Sequence, residues 1–395
     1  MREVLVIMTI SGVGCWVVDY IYQDIDFLNP TVQKYLSKDG EKGMIINEAS
    51  LIDELVKYFN KPIEQIVKEI VGDTKPIKNL GGVAIIAMIT TSQLLYDFKD
   101  TMIKFYANVP NNELGNFVYE ALKTTPLCLE HISRKEGESI ITYVFCGKEI
   151  NGESSRTFLG FPHLPKTLAL SLNQLDDEFF NSDINFFGHI RWEPEINNNF
   201  TYVLKECKKH GSVTIVSTAS DPLMKGEKRW LLGDSDDVYK YIDFLIMNKS
   251  EALHYSGEND LDKALEFFKT YPIEGILITD GINPTYALSR ENLCLPFEGF
   301  IPVSEDIIAD KKKGILPRGD TVGCGDNFVG GVIASIASQL RKENQRIDLE
   351  EACIFGNLNG GLASTIYGGL FKERFFGERK QLVKKYYYRY KAKNK

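Results

Sequence analysis

The sequence predicts an α/β fold with a mainly parallel central sheet and helices on both of its faces. Three observations predict it. Short apolar runs rich in β-branched residues recur along the chain. A turn and then a helical pattern follow each run, the rhythm of βαβ units. The polar residues suited to chemistry fall at the carboxyl ends of these runs, where ligands gather in such sheets.

Taken in order, Val4–Thr9 reads as the first core strand and leads to Gly12-Val13-Gly14. The run is short and lacks a charged lead and a small-residue cleavage site, so a core strand is expected rather than a signal peptide. Residues 20–50 are turn-rich and mixed. Residues 139–158 read as a β-hairpin around a Gly-Lys-Glu-Ile-Asn-Gly turn, and the two segments together predict a small antiparallel flap over the sheet edge. Val213–Val216 follows a charged helix around Val203–His210. Phe244–Met247 leads into Asn248, and Ile276–Thr279 into Asp280-Gly281. A single domain over residues 1–395 is expected, with lid segments at about 20–50 and 139–158. The basic, Tyr-rich tail 384–395 reads as a solvated or docked end.

Composition narrows the function. With 395 residues, 44% hydrophobic and 25% charged, the chain has the make-up of a globular protein with a large core. A net charge of −8 argues against a nucleic-acid or anionic-membrane binder. The seven cysteines include no CxxC and the five histidines show no ligand spacing, so a reducing, cytoplasmic setting is expected and no transition-metal site. No stretch approaches the roughly 18 apolar residues of a membrane span.

The densest chemistry is at residues 320–326, Asp-Thr-Val-Gly-Cys-Gly-Asp, with a helical pattern starting at Asn327. Gly323 and Gly325 allow a tight turn whose N–H groups point one way, and a helix N-terminus adds partial positive charge. Asp326 stands where that helix begins. Amides there suit transferring phosphate oxygens, while the carboxylate suits removal of a proton from an attacking hydroxyl. A simple N-capping aspartate is the plainer alternative. Asn248 and Glu251 are three apart at the end of a strand, a spacing shared by a hydrated Mg²⁺ site and a capping box. Gly12-Val-Gly14 hints at a dinucleotide fingerprint, but position 17 is Val, and no GxxxxGK[ST] occurs.

Residues 320–326 resemble the C-terminal signature of the ribokinase-like (PfkB) sugar and nucleoside kinases, with Cys324 where that family usually has Ala. The resemblance runs from about residue 4 to about residue 370. It implies a ribokinase-like three-layer sandwich with a small β-flap as lid. It also implies an enzyme that uses ATP and Mg²⁺ to phosphorylate a hydroxymethyl group of a sugar or nucleoside. In this likeness Asp326 is the general base, and the turn Gly323-Cys324-Gly325 forms the anion hole. Asp19 holds substrate hydroxyls beside Gly81 and Gly82, and Arg156 of an Arg-Thr pair joins them from the hairpin. Ile86 occupies the position of a family Asn. Asn248 and Glu251 match the NxxE motif that organises Mg²⁺ through water. Thr279 and Gly281 match a Thr-x-Gly nucleotide loop, and Thr321 and Asn357 complete the nucleotide side. Adenosine-kinase-like, hexose or pentose kinase, and weakly catalytic regulatory members are the alternatives, as monomer or homodimer.

Overall fold

Alternate residues of the central strands face two separate cores, which is why these strands are apolar on both sides. Ile10, Phe186, Ile215 and Ile246 pack into one core; Val13, Phe187, Val216 and Leu245 pack into the other. The computed structural model describes residues 7–38, 42–138, 140–147, 155–342 and 345–393.

Among the described residues the strands are β1 (Met8–Gly14), β2 (Val17–Ile25), β3 (Ala49–Leu51), β4 (Ile77–Gly81), β5 (Thr101–Pro110), β6 (Ile132–Lys135) and β7 (Ile141–Gly147). They continue with β8 (Arg156–Gly160), β9 (Ile184–Gly188), β10 (Val213–Ser217), β11 (Phe244–Asn248), β12 (Gly275–Asp280), β13 (Asn283–Ser289) and β14 (Phe297–Ile301). The large sheet has the order β14-β13-β12-β11-β10-β9-β1-β5-β6. Its strands from β12 to β6 are parallel, and β13 and β14 add an antiparallel edge. Helices Val83–Leu94, Cys324–Leu340 and Leu349–Ala363 fill the first core. Helices Phe200–Lys209 and Leu261–Lys269 fill the second. Every residue from Ala84 to Leu94 is buried, as an all-round apolar helix requires. This is the three-layer α/β sandwich that the sequence predicts.

A second sheet, β3-β8-β7-β2-β4, forms the flap. It is mixed rather than antiparallel: β2 runs parallel to β7, and β3 parallel to β8, while β7–β8 and β2–β4 are antiparallel. Parallel neighbours need a long connection, and here the chain passes through the large sheet between β2 and β7. The flap also reaches beyond residues 20–50, because it starts at Val17 and includes β4. The hairpin turn after Gly147 lies outside the described residues up to 154. Ile21, Val144 and Cys146 on the inner face of the flap pack against Val322 of the 320–326 loop.

One local reading changes and another is narrowed. The first strand is Met8–Gly14, so Gly12-Val13-Gly14 is inside it rather than a turn after it. A Cβ at Gly12 would lie 2.6 Å from the Met88 side chain, so the glycine lets helix Val83–Leu94 settle on the strand. The tail from 384 to 393 belongs to helix Glu378–Lys393 and is docked, with Val383 and Tyr386 buried. The Tyr386 hydroxyl donates to Asp310 Oδ2 at 2.7 Å, and Arg389 pairs with Asp306 and Asp310.

Candidate active site

The 320–326 loop ends at the N-terminus of the 17-residue helix Cys324–Leu340. Gly323 caps that helix at φ +75, a conformation that disfavours a Cβ, and its Cα side abuts Gly369. The Cys324 N–H donates to the Thr321 carbonyl at 3.4 Å, whereas the amides of Gly325 and Asp326 have no carbonyl partner four residues back within the helix and remain available donors. A Cβ built on Gly325 would meet nothing within 4 Å, so open space lies in front of these donors.

The loop is tied down from behind. Asp320 Oδ1 accepts the N–H groups of Val322 (3.0 Å) and Gly368 (3.1 Å), and Oδ2 accepts Gln23 Nε2 of β2 at 3.2 Å. Asn327 Nδ2 donates to the carbonyls of Gly323 (2.7 Å) and Gly369 (2.9 Å). Burial pushes the Asp320 carboxyl above its usual range.

Asp326 is half-buried in the first helical turn. Burial, reinforced by the negative charge of Glu251 and opposed by Arg156, pushes its carboxyl up to about 7. Arg156 opens β8, opposite Cys146 of β7, and its guanidinium is the cation of the flap that acts on this loop.

Asp19 lies on β2 in the flap sheet, between Asn79 of β4 and Thr142 of β7. It is 4% exposed, and among the described residues no group donates a hydrogen bond to its carboxylate. Burial and the charges of Asp326 and Asp320 push it well above the ordinary carboxylate range. Gly81 fits against it because a side chain there would collide with the Asp19 carboxyl, and Gly82 at φ +104 opens helix Val83–Leu94. Cys15, buried beside both carboxylates, is held as the thiol by burial and by their charge.

Asn248 and Glu251 form the full capping box: Asn248 Oδ1 accepts Glu251 N–H at 2.8 Å, and Glu251 Oε2 accepts Asn248 N–H at 3.1 Å. Asn248 Nδ2 donates to Glu251 Oε1 at 2.6 Å, and Thr218 Oγ1 donates to Oε2 at 2.7 Å. Burial raises the Glu251 carboxyl. Thr279 pairs beside Asn248 across β11 and β12, and Gly281 follows in the exposed turn at φ +61. Thr321 is half-buried before the anion turn.

Two expected contacts are displaced. Ile86 is 1% exposed, and it packs with the first core against Gly369, so it offers no surface to a substrate in this conformation. Asn357 is buried between its helix and β13–β14. Its oxygen accepts Thr285 Oγ1 at 2.8 Å, and its NH₂ faces the carbonyls of Ile301 and Pro302, which leaves no amide edge for an adenine. The residues that the sequence did not single out are Asn327, Thr218 and Gln23. Asn327 carried one signal, its place directly after Asp326; the others carried none.

The profile of the pfkB family carbohydrate kinase matches residues 48–371, most of the chain. The chain belongs to the pfkB carbohydrate kinase family. It is therefore a phosphotransferase of the sugar and nucleoside kinase class. No curated protein matches the sequence. Among solved structures it is similar to adenosine kinase from Sinorhizobium meliloti, at 16% identity over 96% of this chain and 99% of that one, with a TM-score of 0.66. It is also similar to adenosine kinase from Schistosoma mansoni in complex with 2-fluoroadenosine (14% identity, 92% and 97% covered, TM-score 0.68). Ribokinase from Thermotoga maritima aligns at 16% identity over 96% and 99% of the two chains, with a TM-score of 0.57. At these identities the likeness carries the fold of this pfkB-family chain. No described helix is long and apolar enough to cross a membrane.

Proposed function

We propose that the protein transfers the terminal phosphoryl group of ATP to a hydroxymethyl group of a sugar or nucleoside, with Asp326 as the general base. One observation carries this reading: a half-buried carboxylate, tuned to about 7, stands in the first turn of a long helix behind open space and free amides. At neutral pH a substantial fraction of Asp326 is ionised and basic enough to take a proton from an alcohol in the transition state. The acceptor oxygen attacks phosphorus, Asp326 takes its proton, and the bond to the leaving diphosphate breaks. The amides of Gly325 and Asp326 stabilise charge that builds on the equatorial oxygens. Asp19, whose oxygens have no donor among the described residues, accepts the acceptor's vicinal hydroxyls, and Arg156 adds positive charge from the flap. The flap, sealed on Val322, excludes competing water.

The residues fit Mg²⁺ in one manner. A carboxylate has about four acceptor positions. Three on Glu251 are taken by Asn248 N–H, Asn248 Nδ2 and Thr218 Oγ1, so Glu251 would reach a hydrated ion through water rather than ligate it directly. Bound there with the phosphates, Mg²⁺ neutralises their charge.

An ADP-release screen with MgATP over nucleosides, pentoses, hexoses and sugar phosphates tests the reading. The expected result is acceptor-dependent release from one class, which also separates a nucleoside kinase from a hexose or pentose kinase. No stimulation by any acceptor would overturn it.

A further inference from the structure

The C-terminal helix Glu378–Lys393 lies beyond the family match, which ends at residue 371. One of its residues nevertheless reaches the back of the anion loop. Arg379 is 3% exposed, and its guanidinium donates to three side-chain oxygens. Nε reaches Asn359 Oδ1 at 3.0 Å, Nη1 reaches Gln93 Oε1 at 3.1 Å, and Nη2 reaches Asn327 Oδ1 at 2.5 Å. Its plane also sits over Phe371, 5.6 Å from the ring centroid. None of these partners is charged. Glu373 compensates from nearby, and one of its oxygens accepts the backbone N–H of Arg379 at 2.9 Å. Burial pulls the guanidinium down to about 9, which leaves it protonated at neutral pH. A buried cation bonded to neutral oxygens is an expensive way to fill space that a Met would fill.

What the cation controls is the orientation of one amide. Asn327 is fully buried and follows Asp326 directly. Its oxygen accepts Arg379 and Thr90 Oγ1 (3.0 Å). With two donors on that side, a flipped amide would set NH₂ against N–H and O–H groups. The NH₂ is therefore locked toward the carbonyls of Gly323 and Gly369, the two residues whose backbones meet under the anion turn.

We propose that Arg379 is a positioning residue, which sets the Asn327 amide from the C-terminal helix and through it holds the 320–326 loop and Asp326 in register for phosphoryl transfer. The proposal rests on the reading of that loop as the phosphoryl site. The 395-residue chain carries the test in three variants: Arg379→Met, Arg379→Lys and Asn359→Ser. Asn359→Ser removes a partner of Arg379 that does not touch the loop. Melting temperature, hydrogen exchange of the segment 319–330 without ligands, and kcat and KM with MgATP and the acceptor found in the screen are measured for each.

Arg379→Met is expected to speed exchange of the loop amides about tenfold and to lower kcat about 10–100-fold. Its acceptor KM stays within about threefold of wild type. Arg379→Lys, which keeps the charge and loses the fork, falls between. Asn359→Ser lowers the melting temperature and leaves loop exchange and kcat unchanged. If Arg379→Met only lowers the melting temperature, with loop exchange and kcat as in wild type, the proposal is overturned. Should Arg379→Met not fold, Arg379→Lys decides: wild-type loop exchange and kcat in that variant overturn it equally. A wild type that phosphorylates no acceptor, yet whose loop exchange responds to Arg379→Met, sinks the kinase reading and keeps the clasp.

Discussion

The two sides of the site are built to opposite rules. On the phosphate side the loop is held by the protein itself: Asp320 ties Val322, Gly368 and Gln23 together, and Asn327 ties Gly323 to Gly369. On the acceptor side Asp19 is as buried as Asp320, yet among the described residues nothing bonds its carboxylate. A group that must stabilise a transition state gains from being fixed in advance, because no reorganisation remains at the moment of reaction. A group that must recognise a ligand is left unsatisfied, because a buried carboxylate without donors is stabilised most by the hydroxyls that arrive. Under the proposed function, this difference makes Asp326 and its loop the fixed machinery and Asp19 the contact left open for the acceptor.

The sharpest way to break that comparison is Asp326→Asn. It is expected to lower kcat on the order of 10²–10⁴-fold with ATP affinity nearly unchanged. Near-wild-type turnover would rule Asp326 out as the base and leave it a first-turn acid of the helix. The pH profile gives the sign independently. With its carboxyl at about 7, the base form accumulates as pH rises, so kcat/KM of wild type should climb through about pH 7. A folded-state value above the unfolded one means that stability from this group is present at low pH and lost as pH rises through about 7. Asp326→Asn should therefore raise Tm at pH 8 and leave it nearly unchanged at pH 4. A fall in Tm at pH 8 would instead mark the loss of a favourable negative charge at the helix N-terminus.

Next in size is Asp19→Ala. Charged hydrogen bonds contribute about 1.5–3 kcal/mol each, so acceptor affinity should weaken by a factor of about 10–100 or more, with ATP binding almost unchanged. Equal losses for both ligands, measured by calorimetry, would show that Asp19 supports the flap rather than the acceptor.

Glu251→Gln should have a smaller effect, because its oxygens are already bonded within the capping box. A raised Mg²⁺ requirement is expected, together with a loss of about 1 kcal/mol from the weakened cap. A lower Tm with an unchanged Mg²⁺ titration would leave the capping box as its whole role. Ile86→Asn should touch function least. It buries an amide among apolar neighbours, so Tm should fall while the acceptor profile stays as it was. A redirected acceptor profile would put position 86 back at the substrate.

Local spacing made several features legible before any coordinates. Four-residue runs such as the β-branched Val213–Val216 and the apolar Phe244–Met247 became buried parallel strands, because a strand covered on both faces must be largely apolar. The glycines and acid of 320–326 became a helix N-terminus, because glycine can take the positive φ that the cap at Gly323 needs before an apolar helix. The Asn248–Glu251 spacing was legible as geometry but not as role, since a capping box and a water-mediated ion contact use the same three-residue step.

Other features have no local signature. Asp19 sits in an interior strand of the flap, because β2 pairs with β4 and with β7, the latter more than a hundred residues away. The Asn357 amide turns to Thr285 and Pro302, and Ile86 turns to Gly369, because helix packing decides which way a side chain points. By itself the sequence determined the order of strands and helices and the chemistry of the 320–326 turn, which arise from neighbours along the chain. Only the tertiary structure decided that Gln23 meets Asp320, that Thr218 meets Glu251, and that Arg379 stands behind Asn327. Those contacts join segments from 33 to 297 residues apart, and their energies are set by burial and hydrogen-bond geometry that exist once the layers have closed.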